Sequence, residues 1–125
     1  MGRRQRQRGR AQSPPQLEPS VYGDDDGNQI VLRGVLSAAT RASYARIVSG
    51  EDLPQASTIE DAWQRAVEFL FERLAVSWTI AGTPARTTQR ELLTRLRVAD
   101  AQERAWLRAR LREHCAEHFP DVAAP

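Results

Sequence analysis

Lysine is missing altogether: all 18 basic residues of the chain are arginine. That uniformity is the mark of a GC-rich coding sequence, as in an actinobacterium or one of its phages. An arginine here is therefore not by itself a sign that bidentate contacts were selected. Cysteine occurs once, at Cys115, so there is no intrachain disulfide framework, and a cytoplasmic location is expected. Long apolar runs are absent as well. No stretch approaches the ~20 apolar residues that span a bilayer. No apolar segment follows Arg3 and Arg4, as it would in a secretory or twin-arginine signal, so no membrane partner is expected. Nothing matches G-x-S-x-G, C-x-x-C, a P-loop or G-x-G-x-x-G. The carboxylate pairs Glu51-Asp52 and Glu60-Asp61 stand where helix N-terminal charges belong, so the chain reads as non-enzymatic and without a cofactor.

What is there is unevenly placed. Residues 1–10 hold Arg3, Arg4, Arg6, Arg8 and Arg10 with no acid, while the other 115 residues hold 13 arginines against 16 acids. The net charge of +2 thus belongs to the tail, and the body is slightly acidic. Residues 1–20 contain one leucine and three prolines, so they are expected to form a disordered arm. Such an arm can attach to phosphate through counterion release, which makes nucleic acid the alternative partner. It has no interleaved aromatic for base stacking. Residues 21–122 are expected to form a single α-helical domain, and 123–125 a tail.

Within that domain the hydrophobic period does most of the work. Asp26-Gly27 is a turn dipeptide before Ile30-Val31-Leu32, which reads as a hairpin or a lone strand. Asp24, Asp26 and Asn28 alternate as in a calcium loop, but Gln29 and Val35 stand where that loop needs Gly and Glu, so an acidic turn is expected. A helix capped by Ser37 runs to Gly50. A second helix opens on a Ser57/Glu60 capping box. It carries Ile59, Trp63, Ala66, Val67, Leu70, Leu74 and Trp78 at three- and four-residue steps, and is expected to continue to Ile80 before Gly82 and Pro84 stop it. A third opens at Thr88 with Glu91, and a fourth at Asp100 with Glu103, ending at Pro120. The expected fold is mainly α: a small bundle of about four helices preceded by a short β-hairpin or strand.

The fourth helix ends on R-E-H-C-A-E-H-F-P-D. His114 and His118 stand at i and i+4 with Glu117 between them, the spacing of an inverted zinc peptidase motif. Stepping 100° per residue from Leu107 puts Leu111 at about 40°, His118 at about 20° and His114 at about −20°. Both histidines therefore continue the leucine stripe toward the core, and packing plus a macrodipole contribution is preferred to metal binding. Cys115 reads as a small hydrophobe. The arginines of the last two helices are interspersed with acids, the pattern of a salt-bridged solvent face. The aromatic excess is the better functional signal. Trp63, Val67, Phe71, Trp78 and Trp106 are expected to form a face that binds another protein, with a second copy of the chain an admissible partner.

R-G-V-L-S-A-A-T-R-A-S-Y-A-R-I-V-S-G, followed by E-D-A-W-Q-R-A-V-E-F-L-F-E-R-L and the ending R-E-H-C-A-E-H-F-P-D-V, resembles small proteins of actinobacterial prophage and phage-tail-like clusters, of the tail-assembly chaperone type. The resemblance spans about residues 30–122. It implies an assembly role in which a tape-measure or tail tube protein is shielded before assembly. L-S-A-A-T-R-A-S-Y also resembles part of the helical core-binding domain of tyrosine recombinases. Without their catalytic domain, that likeness implies at most a DNA-clamping module.

Overall fold

The computed structural model describes residues 18–51, 53–54, 57–84 and 88–125. The arginines of the arm, Arg3, Arg4, Arg6, Arg8 and Arg10, lie outside the described residues. The elements run β1 (Ser20–Gly23), β2 (Gln29–Leu32), α1 (Ala38–Val48), α2 (Ile59–Leu74), β3 (Ala75–Ile80), β4 (Thr83–Pro84), α3 (Gln89–Arg97) and α4 (Ala101–His118). The four strands form one antiparallel sheet in the order β1-β2-β3-β4. The fold is therefore mixed α/β, not a helical bundle with a hairpin in front of it.

The error in the sequence expectation lies at Leu74. Trp78 stands four residues after Leu74, so in the sequence the helical period runs on to Ile80. The structure instead turns Ala75–Ile80 into a strand that fills the place beside β2. Val76, Trp78, Thr79 and Ile80 are β-branched or aromatic and suit a pleated surface. What ends α2 comes from far along the chain. The Arg33 N–H donates to the Leu74 carbonyl at 2.7 Å, and its guanidinium donates to the carbonyls of Ala75 at 3.0 Å and Arg73 at 3.4 Å. A helix C-terminus carries unmet carbonyls and partial negative charge, and Arg33 answers both.

The two hairpin tips are tied together. Asp24 accepts from the Asp26 and Asn28 N–H groups and from the Asn28 amide, making the acidic stretch a self-bonded turn. Asn28 Oδ1 then accepts from the Ala81 N–H at 3.0 Å, and the Gly27 carbonyl from the Gly82 N–H at 2.8 Å. Ala81 and Gly82 both have positive φ, as a two-residue turn between β3 and β4 requires. Gly27 is needed for proximity: a Cβ there would stand 2.6 Å from the Gly82 nitrogen.

One face of the sheet is covered by helices. Tyr22, Ile30 and Trp78 stand in cross-strand register, and Ile30, Leu32 and Trp78 are buried with Leu70, Phe71 and Leu74 of α2, Leu92 and Leu96 of α3, and Leu107 and Leu111 of α4. Phe71 meets Trp78 edge to face at 5.5 Å. The C-terminal residues close the α1 side: the Tyr44 hydroxyl donates to the Ala123 carbonyl at 2.6 Å, and Val122 is buried. Among the described residues, no helix is long and apolar enough to cross a membrane.

Candidate functional site

Helix α4 separates three places where polar groups and cavities meet. At its C-terminal end, His114 is fully buried. Its Nε2 lies 2.7 Å from the Arg33 carbonyl, which can only accept, so Nε2 carries the proton. Nδ1 is then an acceptor, and takes the Tyr22 hydroxyl proton at 2.8 Å. Burial holds the His114 pKa below the ordinary histidine range. The His118 ring lies tilted at 42° with its centroid 4.5 Å away, and its Nε2 is 3.2 Å from Ser20 Oγ. His114 thus has both nitrogens engaged by its own chain, one by β1 and one by the residue after β2. Cys115 is buried beside it, and burial pushes the thiol up to about 11. Among the described residues, no three His, Cys, Asp or Glu side chains come together as a metal site.

On a second side of α4, a cleft of about 260 Å³ is lined by Asp24, Asp26, Asp100, Glu103, Trp78 and Trp106, among others. Most of its polar groups are already in use. Asp100 and Glu103 form the α4 capping box, Glu103 also receives both bonds of Arg95 at 3.0 Å, and Asp24 holds its own turn. Trp106 is half-buried with the Arg110 guanidinium over its ring at 5.5 Å.

The third place is a groove of about 330 Å³ between α2, α3 and α4, lined by Gln64, Val67, Leu96, Ala101, Arg104, Ala105 and Arg108. Stepping 100° per residue from Val67 puts Trp63 about 40° and Ile59 about 80° toward the side of Leu70 and Ala66. Both side chains are in phase with the core stripe. Yet Ile59 is 62% exposed and Trp63 is 39% exposed, whereas Val67 one turn on is 4% exposed. The apolar face of α2 extends past what the described residues cover, and Val67, one turn on from Trp63, lines the groove.

The five residues expected to form one aromatic face are divided by this fold. Phe71 and Trp78 are sealed in the core against each other, Val67 is buried at the groove, and Trp106 looks into the acidic cleft. Only Trp63 keeps substantial exposure on α2, joined there by Ile59. The correction follows from Trp78 sitting on a strand and not on the helix. The arginines behave as a solvent face: Arg41 pairs with Asp121, Arg95 with Glu103, Arg97 with Glu68, and Arg110 with Glu113. Arg104 and Arg108, expected to belong to that salt-bridged face with the other helical arginines, line the groove instead. The signal was present, since Arg108 has no acid three or four residues away on either side of it in the helix.

No protein-family model, curated protein or solved structure matches the chain.

Proposed function

We propose that the protein is a non-enzymatic interaction module that seats an apolar stretch of another protein on the overhanging end of α2 and the groove beside it. One observation carries this: Ile59 and Trp63 lie in phase with the core stripe but are exposed. Covering two such side chains is worth about 1.5–3 kcal/mol each, enough to anchor a partner when other contacts join. The resemblance to tail-assembly chaperones would make that partner a tape-measure or tail tube protein, held before assembly.

Site-specific photo-cross-linking in the producing cell tests the reading. A photoreactive phenylalanine analogue at position 59 or 63 is expected to give a discrete protein adduct that the same analogue at exposed Ala116 does not give. Identical patterns from all three positions, or no adduct from 59 and 63, would overturn it. Mass spectrometry of the adduct separates a tail component from any other client. A second reading, nucleic-acid attachment through the arm, is favoured by its five arginines without an acid. Affinity for nucleic acid that falls steeply with salt and disappears when residues 1–12 are deleted is its expected signature.

A further inference from the structure

The groove that this function would use has a chemistry of its own. Arg104 and Arg108 lie one turn apart on α4, beside the small side chains of Ala101 and Ala105. Arg104 donates to the Arg97 carbonyl at 2.8 Å, and Arg108 has no ion-pair or hydrogen-bond partner among the described residues. Nε of both arginines is shielded from solvent and lacks an acceptor. A shielded donor without an acceptor is destabilising, more so when it is charged, and like charges at this spacing repel. Glu68, the residue after Val67, cannot relieve them, because it already receives Arg97 at 3.1 Å and the Gln64 amide at 2.9 Å.

We propose that the groove selects an acidic amphipathic segment. Its apolar side chains pack on Trp63 and Val67, and a carboxylate seats against Arg104 and Arg108. The proposal rests on the interaction reading and specifies its partner. A carboxylate placed side-on to a guanidinium supplies acceptors for Nε and one terminal nitrogen together, the strongest arrangement such a pair can make. Small residues at Ala101 and Ala105 let a partner backbone approach, and the apolar wall takes side chains at helical spacing. Charge excludes a second copy docked groove to groove, since that would gather four arginines with no acid between them.

The test is a selection of peptides from a random mRNA-displayed library on the full chain, followed by fluorescence anisotropy of the enriched peptides. Wild type is compared with Trp63→Ser, Arg108→Gln and Arg104→Gln/Arg108→Gln, each first checked for native circular dichroism. The enriched peptides are expected to be acidic, with apolar residues at three- and four-residue steps. The double arginine variant should weaken them about tenfold or more, Arg108→Gln by a smaller factor, and added salt should weaken binding to wild type. Peptides that need Trp63 but are neutral or basic, and do not respond to the arginine changes, would overturn the acidic specificity while leaving the interaction reading standing. Failure to enrich any Trp63-dependent peptide would sink both. A concentration-dependent dimer abolished by Trp63→Ser would put a second copy on the groove and also overturn the proposal.

Discussion

Replacing His114 by Leu keeps a side chain of comparable bulk in a fully buried position but removes both polar contacts. The Tyr22 hydroxyl loses its acceptor at 2.8 Å and the Arg33 carbonyl loses its donor at 2.7 Å. Each orphaned group costs about 1–3 kcal/mol, so His114→Leu should lose about 2–6 kcal/mol. That is a large share of the 5–15 kcal/mol that holds a typical domain. Urea titration followed by tryptophan emission reads the change, since Trp78 is buried. Adding Tyr22→Phe to His114→Leu removes one orphan, so the double variant should be less destabilised than the two single losses added together. The pH dependence has a definite sign. Burial, with His118 adding to it, lowers the His114 pKa in the folded state, against partial opposition from the Arg33 carbonyl and Glu117. The unfolded chain therefore binds the proton first, at the ordinary value of about 6.5. Stability from neutral His114 is present above that pH and is lost as pH falls through the folded pKa. Wild type should weaken between pH 7.5 and 5, and His114→Leu should flatten that slope. A variant within about 0.5 kcal/mol of wild type at pH 7.5, or an unchanged slope, would refute the hydrogen-bonding assignment.

The remaining expectations probe other parts of the fold. Phe71→Ala, in the core against Trp78, should cost about 3–5 kcal/mol in the same titration, whereas Trp63→Ser should cost about 1 kcal/mol or less; a large loss at Trp63 would mean that it is part of the core. Gly27→Ala should destabilise by more than Gly82→Ala. Both glycines have positive φ, but only at Gly27 does the new Cβ meet backbone, so equal losses in thermal melts would break the tie between the hairpin tips. Cys115, with its thiol pushed up to about 11, should resist an aromatic disulfide reagent at pH 8 until denaturant is added. Fast labelling of the native protein would contradict its burial.

Local signals were readable wherever the deciding atoms lie within a few residues. Ser37 accepts from the Thr40 N–H, Thr88 from the Glu91 N–H, and Asp100 and Glu103 form the reciprocal box expected of them. The α2 box is displaced by one residue, to Thr58 and Asp61, because neighbouring Ser and Thr serve a cap equally well. The end of α2 was not readable. Trp78 satisfies a helical step from Leu74, and the group that stops the helix, Arg33, is about 40 residues earlier. The His114 phase was correct in pointing to the core side. Its partners Tyr22 and Arg33 stayed hidden because they reach it only through sheet formation. Burial of the aromatic residues was misjudged for the same reason: a period gives the angle of a side chain about its helix, not how far the covering elements extend along it.

That distinction bears on function. The hairpin of β1 and β2 is fastened at two points, to the end of α2 through Arg33 and to the end of α4 through Tyr22 and His114. Both fastenings lie toward the C-terminal ends of their helices. The C-terminal half of α2 is consequently used up by the sheet, with Leu70, Phe71 and Leu74 all buried. In its first two turns Ala62 and Ala66 are buried, while Ile59 and Trp63 keep an apolar face that the described residues do not cover. The same division appears in α4. Its C-terminal part contributes His114 and Cys115 to the core, while Arg104 and Arg108 in its first half border an open groove. Val67, one turn from Trp63, shares that groove with Arg108, which has no partner among the described residues. A segment that engages both needs apolar side chains for the exposed end of α2 and carboxylates for the arginines of the groove.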